Sequence, residues 1–270
     1  MSDPSPSGYH ASDGAAYDRF LGRWTERLAP LLVDFARLPD DGEVLDVGCG
    51  TGNLAVEVAR RAPDRAVTAV DLSESYLAFA RARHGTLNAH FQHCDAAELP
   101  FASGKFGASL AQLVLTFVPD PNKVVAQMAR VTRRGGVVAA AVWDFCGGLV
   151  YQRLFWDTAA AIDPSAGPAR DRLFAHPLSQ PDALGALWTA EGLAEIAVGS
   201  LTMRMDFRSF ADYWEPLLGG QGPVGVYVTG LPAGQRERLR AAVRDAYLAG
   251  RPDGPRSLAA TAWAVRGVAP

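Results

Sequence analysis

The chain has few of the residues that build metal, redox or covalent-catalysis sites. Its 270 residues include three cysteines, Cys49, Cys94 and Cys146, far apart and with no C-x-x-C pair. That excludes the usual zinc spacings and a disulfide framework, and it fits a reducing, cytoplasmic compartment. The five histidines, His10, His84, His90, His93 and His176, do not combine with acids at ligand spacing, so no metal site is expected. There is no G-x-S-x-G nucleophile elbow. The net charge is only −3, which offers nucleic acid no electrostatic footprint. The longest strongly apolar run, residues 137–143, is far too short to span a bilayer. The opening residues, rich in Ser and Pro, lack the apolar core of a signal peptide.

What is present is a globular composition, 49% hydrophobic and 20% charged, large enough for a substantial core. Residues 1–14 read as a disordered tail. Residues 15–38 read as one or two helices, with Leu21, Trp24, Leu28, Leu31, Leu32 and Phe35 at helical spacing. Strands are expected at 43–48, 66–71, 88–93, 107–112 and 136–143, and helices at 53–62, 73–83, 121–132 and 182–191. Such alternation implies a mainly parallel sheet covered on both faces. Two more strands are expected near 193–205 and 258–267. The stretches 145–180 and 206–256, rich in aromatics, follow sheet strands and read as a cap on a core of 40–145, all within one domain of 15–270. The arginine pairs Arg60-Arg61 and Arg133-Arg134 fall near predicted helix ends, where cations complement the helix dipole.

One stretch carries chemistry. Val44-Leu45-Asp46-Val47 is a buried strand by pattern, and Gly48-Cys49-Gly50-Thr51-Gly52 follows it at once, before a helical segment. Glycine lets the backbone turn and approach a ligand where a Cβ would clash. The spacing is G-x-G-x-G, with an acid two residues ahead, and not the G-x-G-x-x-G of dinucleotide folds. Asp71 closes the second expected strand, where nucleotide folds place an acid for ribose hydroxyls; it also stands where a helix cap would.

The D-V-G-C-G-T-G string resembles the first motif of class I methyltransferases that use S-adenosylmethionine. Over 40–145 the chain is similar to their small-molecule branch, of the ubiquinone/menaquinone type. The resemblance implies an α/β, Rossmann-like class I methyltransferase sheet, mostly parallel with a final antiparallel strand, plus the helical cap. It implies a cofactor site of Asp46, Gly48, Cys49, Gly50 and Gly52, with Asp71 at the ribose and Leu72 beside it. Asp95 and the N–H of Ala96 would then read the adenine edge, and Gln112 would border the methionine part. The segment Tyr17-Asp18-Arg19-Phe20-Leu21-Gly22-Arg23-Trp24 resembles the helix that covers the cofactor in that branch, placing Tyr17 and Arg23 at its carboxylate end; the same aromatics also suit packing on the sheet edge. The N/D-P-P-Y/F signature is absent, and Leu115-Thr116-Phe117-Val118 stands in its place, which argues against DNA adenine or glutamine methylation.

The acceptor is expected to be a small apolar or aromatic molecule, with Trp143, Trp214 and Tyr227 against it. Gly219-Gly220-Gln221-Gly222-Pro223 reads as a flexible gate. His176 and Asp144 are the candidate bases, needed only where the acceptor must lose a proton. Two alternatives share the strand-turn-helix: an NAD(P)-dependent oxidoreductase, and a protein that binds S-adenosylmethionine without transferring its methyl group.

Overall fold

The structure is a computed structural model that describes residues 13–85 and 87–270. Seven strands form one sheet: β1 (Val44–Val47), β2 (Val67–Asp71), β3 (Ala89–His93), β4 (Phe106–Gln112), β5 (Thr132–Trp143), β6 (Ala194–Phe207) and β7 (Arg256–Val268). Their order is β3-β2-β1-β4-β5-β7-β6. The first five pair in parallel, for example Val44 with both Val67 and Ala108. β7 runs antiparallel between β5 and β6, with Val268 opposite both Val137 and Ala194. The expected mostly parallel sheet with a final antiparallel strand is therefore what forms. β5 begins at Thr132, earlier than expected, so Arg133 and Arg134 lie on a strand and not at a helix end.

Helices cover both faces. In chain order they are α1 (Gly14–Tyr17), α2 (Arg23–Ala36), α3 (Asn53–Arg61), α4 (Glu74–His84), α5 (Pro121–Val131), α6 (Val150–Ile162), α7 (Gly167–Phe174), α8 (Pro181–Ala190), α9 (Phe210–Trp214), α10 (Gly222–Gly230) and α11 (Ala233–Leu248). A π-helical turn, Asp18–Gly22, joins α1 to α2. The expected disordered tail lies outside the described residues except for Asp13 and Gly14. Asp13 caps α1 by accepting from the N–H groups of Ala15 and Ala16.

Side chains alternate across the sheet, as the two-residue period of a strand requires. On β5, Val137, Ala139, Ala141 and Trp143 join the core that includes α2 and α3. Val138, Ala140 and Val142 join the opposite core, with Val124, Val125 and Met128 of α5 and Trp188 of α8. The Trp188 indole donates to the Val138 carbonyl at 3.0 Å. Gly267 makes room for it, since a Cβ there would lie 2.8 Å from the ring.

The two insertions fold together. Phe155, Trp156, Phe210, Tyr213 and Trp214 bury their rings against one another, with Trp214 only 1% exposed. The Tyr213 hydroxyl ties α9 to α6 by donating to the Tyr151 carbonyl at 2.8 Å.

Candidate active site

The strand order reverses between β1 and β4, and open α/β sheets bind ligands outside the carboxyl ends at such a point. The glycine turn leaves β1 there, and Gln112 ends β4 beside it. The three glycines play different parts. Gly48 has φ +70, and a Cβ on it would overlap Val114. A Cβ on Gly52 would meet the Phe91 ring at 2.9 Å, so this glycine allows close packing. Gly50, with φ +54, has only the Tyr17 ring near its Cβ position, at 3.8 Å. Gly50 thus has the most open Cβ position of the three.

Gly52 is the N-cap of α3 and has no side chain to satisfy the exposed N–H groups. Asp46 does this from the strand, its Oδ2 accepting from Ala55 N–H at 3.0 Å. Asp46 is 1% exposed, and its other oxygen, Oδ1, has no partner. Burial pushes its carboxyl up to about 7, the Asp71 charge adds to this, and the Ala55 bond opposes it. Gln112 is similar: its Nε2 donates to the Thr25 carbonyl at 3.0 Å, while its buried Oε1 is unpartnered. Leu113, the next residue, is held at φ +65, an unusual conformation for a non-glycine residue.

Asp71 uses both oxygens on backbone. Oδ2 accepts from Gly50 N–H and Oδ1 from Ser73 N–H, each at 2.8 Å. The helix cap itself falls to the Ser73 hydroxyl, which accepts from Tyr76 N–H at 3.3 Å. A carboxylate has about four lone-pair sites, so Asp71 retains capacity for two hydroxyls. Burial raises its carboxyl above the ordinary range. Leu72, just beyond, is 65% exposed. Asp95 is exposed and folds its Oδ1 back onto Ala97 N–H at 2.8 Å, with Ala96 partly exposed beside it.

The cleft is lined by Tyr17, Thr25, Asp46, Gly48, Cys49, Gly50, Thr51, Asn53, Leu54 and Gln112, and encloses about 20 Å³. That is room for a water molecule, whereas small-molecule sites span about 300–1,000 Å³. Tyr17 is the reason. Its ring lies over Gly50 and against Tyr76, with centroids 4.8 Å apart. Burial, then the neighbouring Tyr76 and Asp71, hold its phenol protonated. The π-turn behind it is anchored by Asn53, whose Nδ2 donates to the Gly22 carbonyl at 3.0 Å and to the Thr25 hydroxyl at 2.7 Å. Thr25 and Asn53 carry no motif signal. Asn53 was detectable only as the residue following the glycine string, and Thr25 not at all.

A profile of the methyltransferase domain family matches residues 44–136, the segment that supplies the glycine turn, Asp71, Asp95 and Gln112. Over that segment the chain is similar to S-adenosylmethionine-dependent methyltransferase domains. Its curated relatives include the ubiquinone/menaquinone biosynthesis C-methyltransferase of Desulfotalea psychrophila, 38% identical over 41% of this chain and 45% of that protein. The 27-O-demethylrifamycin SV methyltransferase of Amycolatopsis mediterranei is 34% identical over 49% of this chain and 48% of its own length. The chain thus spans about half the length of the curated relatives it matches. The same fold covers all of this chain and 61% of a Haemonchus contortus phosphoethanolamine N-methyltransferase solved with S-adenosylhomocysteine, at a TM-score of 0.61 and 15% identity. Among the described residues, no helix is long and apolar enough to cross a membrane.

Several expected site residues sit elsewhere than the sequence implied. Arg23 does not line the cleft; it grips both carboxylate oxygens of Asp212, at 3.0 and 3.1 Å, and stacks on Trp24. His176 caps its own turn, with Nδ1 accepting from Leu178 N–H at 3.2 Å, and burial lowers its pKa. Asp144 accepts from Gly147 N–H at 3.0 Å in a tight turn. Neither base candidate reaches the cleft lining. Trp143 and Trp214 are buried in the core, and Tyr227 packs on Trp156 with its hydroxyl on Asp163. The expected gate is a packed turn: Gln221 is 2% exposed and accepts from the Tyr76 hydroxyl at 3.0 Å.

Proposed function

We propose that this chain transfers the methyl group of S-adenosylmethionine to a small, apolar or aromatic acceptor. The carrying observation is the pair of buried oxygens, Asp46 Oδ1 and Gln112 Oε1, left without partners beside a glycine turn at the sheet's switch point. Both are acceptors, and the α-ammonium of the methionine end is a donor with three protons. The rest of the rim suits the nucleoside: Asp71 has lone pairs for the ribose hydroxyls, and exposed Leu72 offers an apolar face to adenine. Asp95 and Ala96 extend that rim at the adjacent strand end, and Cys49 and Gly52 belong to the turn itself.

When bound, S-adenosylmethionine supplies an activated sulfonium methyl. The residues then have to hold the acceptor in line with that methyl and keep water out. Positioning of this kind supplies about 7–11 kcal/mol of a barrier. Tyr17 swings off Gly50 to admit the ligand and closes over it again with α1. Residues 145–180 and 206–256 shape the acceptor space as a cap on one domain. His176 and Asp144 are occupied by their own turns, so the reading needs no base from either.

Calorimetry with S-adenosylhomocysteine and with NADH tests cofactor choice, and labelled methyl transfer from S-adenosylmethionine to a panel of small phenols, quinols and amines tests turnover. Binding of the homocysteine compound alone, followed by methyl transfer, is expected. Preference for NADH would overturn the reading, and binding without any transfer would reduce it to a cofactor-binding role.

A further inference from the structure

Gln152 stands at the centre of a buried polar chain that the cofactor site does not use. The Trp156 indole donates to Gln152 Oε1 at 3.0 Å, and Gln152 Nε2 donates to the Tyr151 hydroxyl at 2.8 Å. The polarity is fixed. An indole N–H can only donate, so the amide oxygen must face it and the amide nitrogen must face Tyr151. Tyr151 therefore receives a hydrogen bond on its oxygen and is left with its own proton to give. Gln152 and Tyr151 are both 5% exposed, and among the described residues no acceptor takes that proton. A buried polar group with unused capacity calls for an explanation.

The location supplies one. Tyr151 lies in the first turn of α6, which follows the carboxyl end of β5. Its ring meets Phe20 of the π-turn, with centroids 6.5 Å apart, and that turn directly follows Tyr17, the residue that roofs the cleft. Displacing Tyr17 together with the π-turn would open the cleft towards Phe20 and the first turn of α6, which carries Tyr151. Burial holds that phenol protonated, far above its usual range, so it serves as a neutral donor and not as a base.

We propose that Tyr151 binds the methyl acceptor by donating its hydroxyl proton to an oxygen of that molecule, and that Gln152 is the positioning residue that fixes Tyr151 as donor. The acceptor class is then a small molecule with a hydrogen-bond-accepting oxygen, a phenol, enol or carbonyl, near the atom that is methylated. This rests on the methyltransferase reading. A matching site discriminates strongly, because an analogue lacking the oxygen leaves the donor unpaired.

The test uses the full chain saturated with S-adenosylhomocysteine, and 4-chlorophenol against 4-chlorotoluene as probes. The two differ only in hydroxyl against methyl. Wild type should bind the phenol at least tenfold more tightly. Tyr151→Phe should erase that preference, and Gln152→Leu should shrink it although Tyr151 remains; both should bind S-adenosylhomocysteine within a few-fold of wild type. No preference in wild type, binding of neither probe, or a preference that survives Tyr151→Phe overturns the proposal. Loss of S-adenosylhomocysteine binding by wild type itself instead refutes the cofactor assignment, so the two failures are distinct.

Discussion

Replacing Asp46 with asparagine tests whether the buried carboxylate responds to ligand charge. Asp46 Oδ1 is unpartnered, and its carboxyl titrates near about 7. An ammonium brought against Oδ1 favours the ionised form, so ligand and proton compete. With a site pKa of about 7, competition weakens binding by about 1.1-fold at pH 8, twofold at pH 7 and elevenfold at pH 6. S-adenosylhomocysteine affinity should therefore fall about tenfold between pH 8 and pH 6. Asp46→Asn keeps an oxygen for Ala55 N–H but removes the charge. At pH 8 it should cost about 1.5–3 kcal/mol, the range for a charged hydrogen bond, or roughly 10–100-fold in affinity. Its residual binding should be flat across the same pH range. Calorimetry at three pH values in buffers of different ionisation enthalpy reads both affinity and proton release. Asp71→Asn run alongside separates the second raised carboxylate. A wild type whose affinity ignores pH, or an Asp46→Asn variant that keeps the slope, refutes the reasoning.

Without ligand, the sign of the stability effect reverses. Asp46 binds its proton more tightly folded than unfolded, so its contribution is complete below the ordinary carboxylate pKa and is lost as pH rises towards about 7. Urea unfolding should show stability falling by up to about 1.4 kcal/mol per pH unit over that window, less in Asp46→Asn. Asp71→Ala should weaken S-adenosylhomocysteine at least about tenfold by calorimetry, since it removes a charged acceptor for two hydroxyls; normal binding would return Asp71 to a purely structural role on Gly50 and Ser73. Gly48→Ala should cost about 2–4 kcal/mol by chemical denaturation, through overlap with Val114 and a positive φ, whereas Gly50→Ala should cost only about 1. Arg23→Ala should destabilise the fold by about 1–3 kcal/mol while leaving cofactor affinity within a few-fold, because the guanidinium is spent on Asp212.

The parallel core was legible because its signals are local. Val67-Thr68-Ala69-Val70-Asp71 reads as a strand from its own residues, and the glycine string marks its turn without help from the rest of the chain. The place of β7 between β5 and β6 was available only through family resemblance, since alternation does not state direction. Roles that depend on distant partners were misread. Arg23 looked available for a ligand, but Asp212 lies 189 positions away and takes its charge. Trp214 and Tyr227 looked like acceptor contacts, but a ring facing a ligand and a ring facing another helix have the same spacing. Thr25 entered the cleft through bonds to Asn53 and Gln112, 28 and 87 positions distant. Tyr17 was placed at the cofactor's carboxylate end, and the structure puts its ring over Gly50.

The central claim is that the cleft at Gly50 is the S-adenosylmethionine site. Its most direct test is calorimetric titration of S-adenosylhomocysteine into wild type and Gly50→Val, with the fold of each checked by circular dichroism. The valine would stand where only the Tyr17 ring now approaches. One site per chain in wild type, abolished in a folded Gly50→Val, is the expected result. Equal affinity in the two proteins would contradict the assignment.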